Sequence, residues 1–238
     1  MALPIYLGMM QGEFREPLPE HIAWMESSFS PSGDGLSNLP QGLPPGNLLM
    51  VTDQFPPQGH DPQTILRQLT DAAEKHRLCG VVLDFQRPYH EETAKIAEAI
   101  CSALPCPTAL TIPYAQGKNC ILFLPPIPVH QSARDYLAPY HEQEIWLETD
   151  LGGRKLVLTG QGCSCLPLDS PLEGNIFQDN LCRCHYTIAV QKEQAIFSLQ
   201  RTAEDLQLLL QDAEKYGVTK ALGLYQEMGE VLFVQGGA

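Results

Sequence analysis

The sequence predicts an α/β fold, a single (β/α)8 barrel of the TIM type, on three observations. Strand-like and helix-like segments alternate along 238 residues, with about eight core strands, a length and count that suit one such barrel. Each strong helix lies between two strands, which implies crossover connections and parallel pairing. The run Gly80-Val81-Val82-Leu83-Asp84-Phe85-Gln86-Arg87-Pro88 reads as a buried strand that ends abruptly in polar groups. An acidic residue at the C-terminal end of such a strand stands where barrel enzymes keep their chemistry. An open, doubly wound sheet is the competing fold, and the whole of 1–238 reads as one domain.

The elements follow in order. Ile5 to Met10 reads as the first strand and His21 to Phe29 as the second. Pro31 to Asn47, rich in Pro, Gly and Ser, is loop. Asn47 to Asp53 is the third strand. Asp61-Pro62 then starts a helix, because Asp accepts orphan backbone N–H bonds and Pro fits the first helical position. Ile65, Leu66, Leu69, Ala72 and Ala73 share one face of it. After the Asp84 strand, a helix runs from about Glu91 to Leu104. Thr108 to Tyr114 and Cys120 to Leu124 are two more strands, the second closed by Pro125, Pro126 and Pro128. Ser132 to Leu137 begins a short helix. Glu144 to Thr149 is a strand, and Lys155 to Thr159 continues or pairs with it across Gly152-Gly153. Tyr186 to Val190 and Ala195 to Leu199 flank a polar tetrapeptide and read as a hairpin or as one strand with an excursion. Thr202 with Asp205 makes a capping-box start for a helix whose Leu206, Leu209, Leu210 and Ala213 face inward and which Gly217 ends. Ala221 to Tyr225 is the last strand, followed by Gln226 and Glu227.

Composition narrows the function classes. Hydrophobic residues make up 44%, enough for a sizeable core. The net charge of −13 argues against nucleic acid or an anionic membrane as the main partner, since no basic patch is available to neutralise phosphates. No apolar run approaches the roughly 20 residues that span a bilayer. The first residues lack a basic region and a long apolar stretch, so a cytoplasmic acidic protein is expected. No cofactor is expected: GxGxxG does not follow the first strand and no phosphate loop occurs.

Eight cysteines are present. Cys79, Cys101, Cys106 and Cys120 fall in or beside apolar segments, as small buried thiols do. Cys163-Ser164-Cys165 and Cys182-Arg183-Cys184 leave three readings: free thiols on neighbouring strands, a disulfide, or a four-thiolate zinc site. The spacing of one residue, where a zinc knuckle has two, favours free thiols, and no metal is assigned. The seven histidines are scattered, with no HExxH or His-x-His pair, and no G-x-S-x-G elbow occurs.

Several of these segments resemble family-18 glycoside hydrolases, the chitinase-like barrels. HIAWMESSFSPSGDGL, His21 to Leu36, is similar to their second strand and its polar turn containing Asp-Gly. NLLMVTDQ is similar to their third strand and CGVVLDFQRP to their fourth. LGLYQEMG sits where they carry an aromatic under the sugar. The resemblance covers the N-terminal half in order and is faint after Pro113. It implies a carbohydrate-binding barrel.

The family's fourth-strand motif is Asp-Gly-x-Asp-x-Asp-x-Glu. Its first Asp falls on Cys79, its Gly on Gly80, its second Asp on Val82, its third on Asp84 and its catalytic Glu on Gln86. Only Gly80 and Asp84 match. The resemblance implies that Asp84 orients a substrate acetamido group and that Gln86 replaces the proton donor. An amide cannot serve as a general acid, a role typically worth about 10²- to 10⁴-fold.

Two readings follow. In one, the barrel binds glycan, or another small polar ligand, with weak or no hydrolysis. Gln86 then bonds a sugar oxygen, and Tyr6, Trp24, Tyr114, Trp146 and Tyr225 are the candidate stacking aromatics. In the other, the acid comes from elsewhere on the mouth. Glu13 follows the first strand, Asp53 ends the third, Glu148 and Asp150 end the Glu144–Thr149 strand, and Glu227 follows the last. Alternate strand residues share a face, so Asp84 goes with Gln86 and Trp146 with Glu148. Asp84 paired with Asp53 or Glu148 makes a two-carboxylate glycosidase. A barrel that only presents a protein-interaction surface is a third class.

Overall fold

The computed structural model describes residues 3–115 and 120–233, so the ends of the expected 1–238 domain and residues 116–119 lie outside it. Eight parallel strands close into a barrel. They are β1 (Ile5–Met9), β2 (Ile22–Phe29), β4 (Leu48–Thr52), β5 (Gly80–Asp84), β6 (Thr108–Thr111), β7 (Ile121–Leu124), β8 (Ile145–Thr149) and β14 (Val218–Leu224). A two-residue strand β3 (Leu36–Ser37) hairpins onto β2. The order β1-β14-β8-β7-β6-β5-β4-β2 is closed by direct pairing of β1 with β2, which removes both sheet edges.

Helices cover the outside: α1 (Pro62–His76), α2 (Glu91–Ala103), α3 (Ile112–Ala115), α4 (Ala133–Leu137), α5 (Ala203–Glu214) and α6 (Tyr225–Phe233). Their starts follow the sequence chemistry. Asp61 accepts from the backbone N–H groups of Gln63 and Thr64 ahead of Pro62. Thr202 and Asp205 exchange the two bonds of a capping box. The expected strand from Thr108 to Tyr114 is shorter than its sequence suggests: it stops at Thr111, and Ile112 to Ala115 form a helical turn around Pro113. Among the described residues, no helix is long and apolar enough to cross a membrane.

Between β8 and α5 the chain leaves the barrel. Five antiparallel strands, β9 (Arg154–Thr159), β10 (Gly162–Pro167), β11 (Phe177–Asp179), β12 (Cys184–Gln191) and β13 (Gln194–Gln200), form a second sheet in the order β10-β9-β13-β12-β11. Lys155 to Thr159 therefore does not pair with β8; it is a central strand of this sheet, beside β13 and β10. Because the excursion follows β8, it rises from the C-terminal end of the barrel.

A buried arginine ties the sheet to the barrel. Arg201 donates to the carbonyls of Ile127 at 2.7 Å and Pro128 at 3.1 Å. Val129, Cys184 and Leu199 pack together beneath it, and Arg183 meets Asp212 of α5 at 2.8 Å.

The sheet also separates the two cysteine pairs. Cys163 and Cys165 lie on β10, and Cys182 and Cys184 lie at the start of β12, so β9 and β13 stand between them. The pairs are thus not on neighbouring strands, as the spacing suggested. Three inter-strand steps amount to about 14 Å.

Alternation sorts the barrel residues. One face of each strand packs outward against the helices, as Leu49, Val51, Val81, Leu83, Ile145 and Leu147 do. The other fills the barrel, with Tyr6, Ala23, Met50, Val82, Phe123 and Trp146 in one cluster. Trp146 has no exposed surface and lies across the barrel against Gly80, with the Lys220 ammonium 4.3 Å from its ring centroid. A Cβ at Gly80 would collide with that ring and stand 3.0 Å from the carbonyl oxygen of Pro107. Gly80→Ala is therefore expected to lose about 1–3 kcal/mol by overpacking. A urea unfolding midpoint measured beside wild type checks this, and an unchanged midpoint would show that the tryptophan can move aside.

Candidate active site at the barrel mouth

Two residues above the filled floor, the inward positions become acidic. Asp84 stands two residues after Val82 on β5, and Glu148 two residues after Trp146 on β8. In register, Asp84 lies opposite Thr52 of β4, and Glu148 opposite Leu222 of β14. Both carboxyls are half-buried. Burial raises the Asp84 pKa, the neighbouring Asp53 charge adds to the rise, and the Gln86 amide opposes it. Glu148 is pushed up to about 7, first by burial and then by the charges of Asp84, Asp150 and Glu227. A carboxyl held near 7 is half-protonated at neutral pH and can donate a proton there.

Gln86 donates from Nε2 to Asp84 Oδ2 at 3.0 Å. Asp53 has a different task. It is buried, and its carboxylate accepts the backbone N–H groups of Gln86 and Arg87, both at 2.9 Å. Arg87 answers by donating to the Asp53 carbonyl at 2.7 Å and the Gln54 carbonyl at 2.8 Å. The loop after β5 is thereby strapped to the loop after β4. A recess of about 430 Å³ opens here, lined by Thr52, Asp53, Gln54, Asp84, Gln86 and Arg87.

The other sequence candidates fall into three places. Tyr6, Trp24 and Trp146 are enclosed by packing and present no ring face to the mouth. The Tyr6 hydroxyl meets Cys79 Sγ at 3.2 Å near the opposite end of the barrel. Trp24 faces outward, edge-on to Phe14, and donates to the Asn38 carbonyl. Tyr114 is buried on α3. At the rim, Tyr225 opens α6 half-buried, and Glu227 is exposed within electrostatic reach of Glu148. Glu13 accepts from Met10 N–H and from the Gln226 amide at 2.8 Å, and Asp150 pairs with Arg154 at 3.5 Å. Sequence reasoning missed Arg87, Tyr89 and Tyr136. Tyr136 donates to the Pro125 carbonyl, and its pKa is raised first by burial, then by Tyr140 and the Glu148 charge. The Arg-Pro-Tyr run directly after Gln86 was the available signal for the first two.

No protein-family model and no curated relative matches the sequence. Solved structures do. A family GH18 chitinase from Cycas revoluta in complex with allosamidin superimposes with a TM-score of 0.61 at 12% identity, covering 97% of each chain. A mutant of a GH18 chitinase from the same plant, in complex with (GlcNAc)4, gives 0.60 at 13% identity, again over 97% of each. The Bacillus cereus spore cortex-lytic enzyme SleL gives 0.58 at 10%, covering 93% of this chain and 70% of that one. This chain has a GH18-like TIM-barrel fold. At these identities the likeness speaks for the fold.

The Glu148 environment has a consequence for stability. Its folded pKa lies above the ordinary carboxyl value of 4.5, so the folded state holds more protons than the unfolded state between about 4.5 and 7. Stability then falls as pH rises through that window and levels off above it. Asp84 acts in the same direction. Glu148→Gln is expected to flatten the slope and to stabilise the protein at pH 8 by roughly 1–2 kcal/mol, a figure reduced for the partial exposure of the group. Urea midpoints for both proteins at pH 5, 6, 7 and 8 check this; parallel curves would show that Glu148 ionises freely.

Proposed function

We propose that this chain is a chitinase-like, carbohydrate-binding barrel with a degenerate glycosidase site, which holds an N-acetylated glycan with weak or no hydrolysis. One observation carries the reading: two residues past the end of β5 an amide, Gln86, hydrogen-bonds Asp84 where the resemblance implies a proton donor. The remaining parts of the site support binding. Asp84 keeps an acceptor for a sugar hydroxyl or acetamido N–H, Gln86 offers both donor and acceptor, and Arg87 borders the same recess. The GH18-like fold adds to this, since a GH18 chitinase mutant of similar fold is solved in complex with (GlcNAc)4.

A second reading, hydrolysis through a relocated acid, is favoured by Glu148, whose carboxyl is pushed to about 7 within reach of Asp84. In that mechanism Glu148 protonates the glycosidic oxygen, and Asp84 either orients the acetamido group or acts as the second carboxylate.

Binding and cleavage of (GlcNAc)4 and of peptidoglycan fragments separate the two. Binding without cleavage by wild type is expected, with turnover gained by Gln86→Glu and binding lost by Asp84→Ala. Cleavage by wild type that Glu148→Gln abolishes, and that Gln86→Glu changes little, would favour the relocated acid instead.

A further inference from the structure

Past Gln86, the chain continues through Arg87 and Pro88 to Tyr89, and Tyr89 is 58% exposed. Large exposed aromatics are usually free to rotate, but this one is fixed. Its ring stacks on Tyr114, with centroids 5.4 Å apart and planes 24° apart. Tyr114 is itself buried, edge-on to Phe85 at 5.5 Å, and Phe85 meets Phe29 at 5.7 Å. A column of four rings thus runs from the core to the rim of the mouth.

The backbone on both sides of Tyr89 is clamped as well. The Tyr114 hydroxyl accepts the N–H of His90 at 3.3 Å and donates to the carbonyl of Pro88 at 3.3 Å. Upstream, Arg87 is strapped to the Asp53 and Gln54 carbonyls. Downstream, His90 caps α2 by accepting the N–H of Glu92. One face of the Tyr89 ring lies on Tyr114 and the other faces solvent. The polar recess holding Asp84 and Gln86 begins at Arg87, two residues away, at most about 7 Å along the chain.

From this arrangement we infer that Tyr89 is a stacking platform for a pyranose ring, placed beside the Asp84–Gln86 recess. The inference rests on the glycan-binding reading and adds to it a subsite and a ligand shape. A gluco-configured sugar has equatorial hydroxyls around its edge and an apolar face of axial C–H groups. That face lies flat on the electron-rich ring, while the edge hydroxyls meet the side chains of the recess. Because the clamp on Tyr89 exists before ligand arrives, binding does not have to freeze the ring.

Isothermal titration with (GlcNAc)4 tests this on the full chain. Tyr89→Leu keeps an apolar cover over Tyr114 but removes the aromatic face; Tyr89→Trp keeps that face. The leucine variant is expected to bind about tenfold or more weakly with an unchanged urea midpoint, and the tryptophan variant to stay within about threefold of wild type. Leucine and wild-type affinities that agree, while Asp84→Ala abolishes binding, overturn the platform and leave the glycan reading standing. No binding by wild type overturns both.

Discussion

Closing eight parallel strands on themselves leaves each strand with two faces and no edge, and every inward residue must then be either filler or function. The two roles lie only two residues apart. Val82 fills the barrel and Asp84 opens it; Trp146 blocks the floor and Glu148 stands above it. The tryptophan can lie across the barrel because position 80 has no side chain. The floor therefore excludes water from below, and the acids above it are desolvated on one side. The raised pKa of both Asp84 and Glu148 begins with that burial. Packing at the bottom of the barrel and proton chemistry at its top are thus one design constraint.

Asp53 shows how a barrel can spend a carboxylate on architecture. Buried at the end of β4, it accepts two backbone N–H groups that the turn after β5 would otherwise leave without partners. Arg87 returns bonds to the same loop. The result is a rigid rim from Gln86 to His90, continued by the hydroxyl of Tyr114. A pair of mutually strapped loops suits recognition, since its groups are already in place when a ligand arrives.

The five-stranded sheet that follows β8 is the largest addition to the barrel. Together with its connecting loops it carries most of the exposed large hydrophobic residues among those described, including Leu166 and Val190 on strands and Ile176 and Leu181 between them. Its attachment combines the apolar cluster of Val129, Cys184 and Leu199 with polar bonds. Arg201 uses the carbonyls of the proline-rich β7 loop, and Arg183 and His185 reach Asp212 and Asp205 on α5. Asp150, at the start of this excursion, is one of the charges that raise Glu148.

Local signals in the sequence pointed to alternating strands and helices, and the pairing of β1 with β2 decided that they close into a barrel. Alternating apolar runs, caps such as Asp61-Pro62 and Thr202 with Asp205, and the polar stop after Leu83 are local signals, written in neighbouring residues. They also placed Asp84, Gln86 and Glu148 at strand ends. What the sequence could not show depends on contacts across long separations. Trp146 reads as a ligand platform until its ring is found against Gly80, and Asp53 reads as an acid until its partners at Gln86 and Arg87 are seen. Lys155 to Thr159 has the pattern of a barrel strand, and only its pairing with β10 and β13 assigns it to the second sheet. Tyr89 was not among the sequence candidates, because its significance comes from Tyr114, twenty-five residues on, whose ring and hydroxyl hold it in place. Strand propensity is a property of neighbours along the chain, whereas burial, charge coupling and stacking are properties of neighbours in space, and those the tertiary structure alone decided.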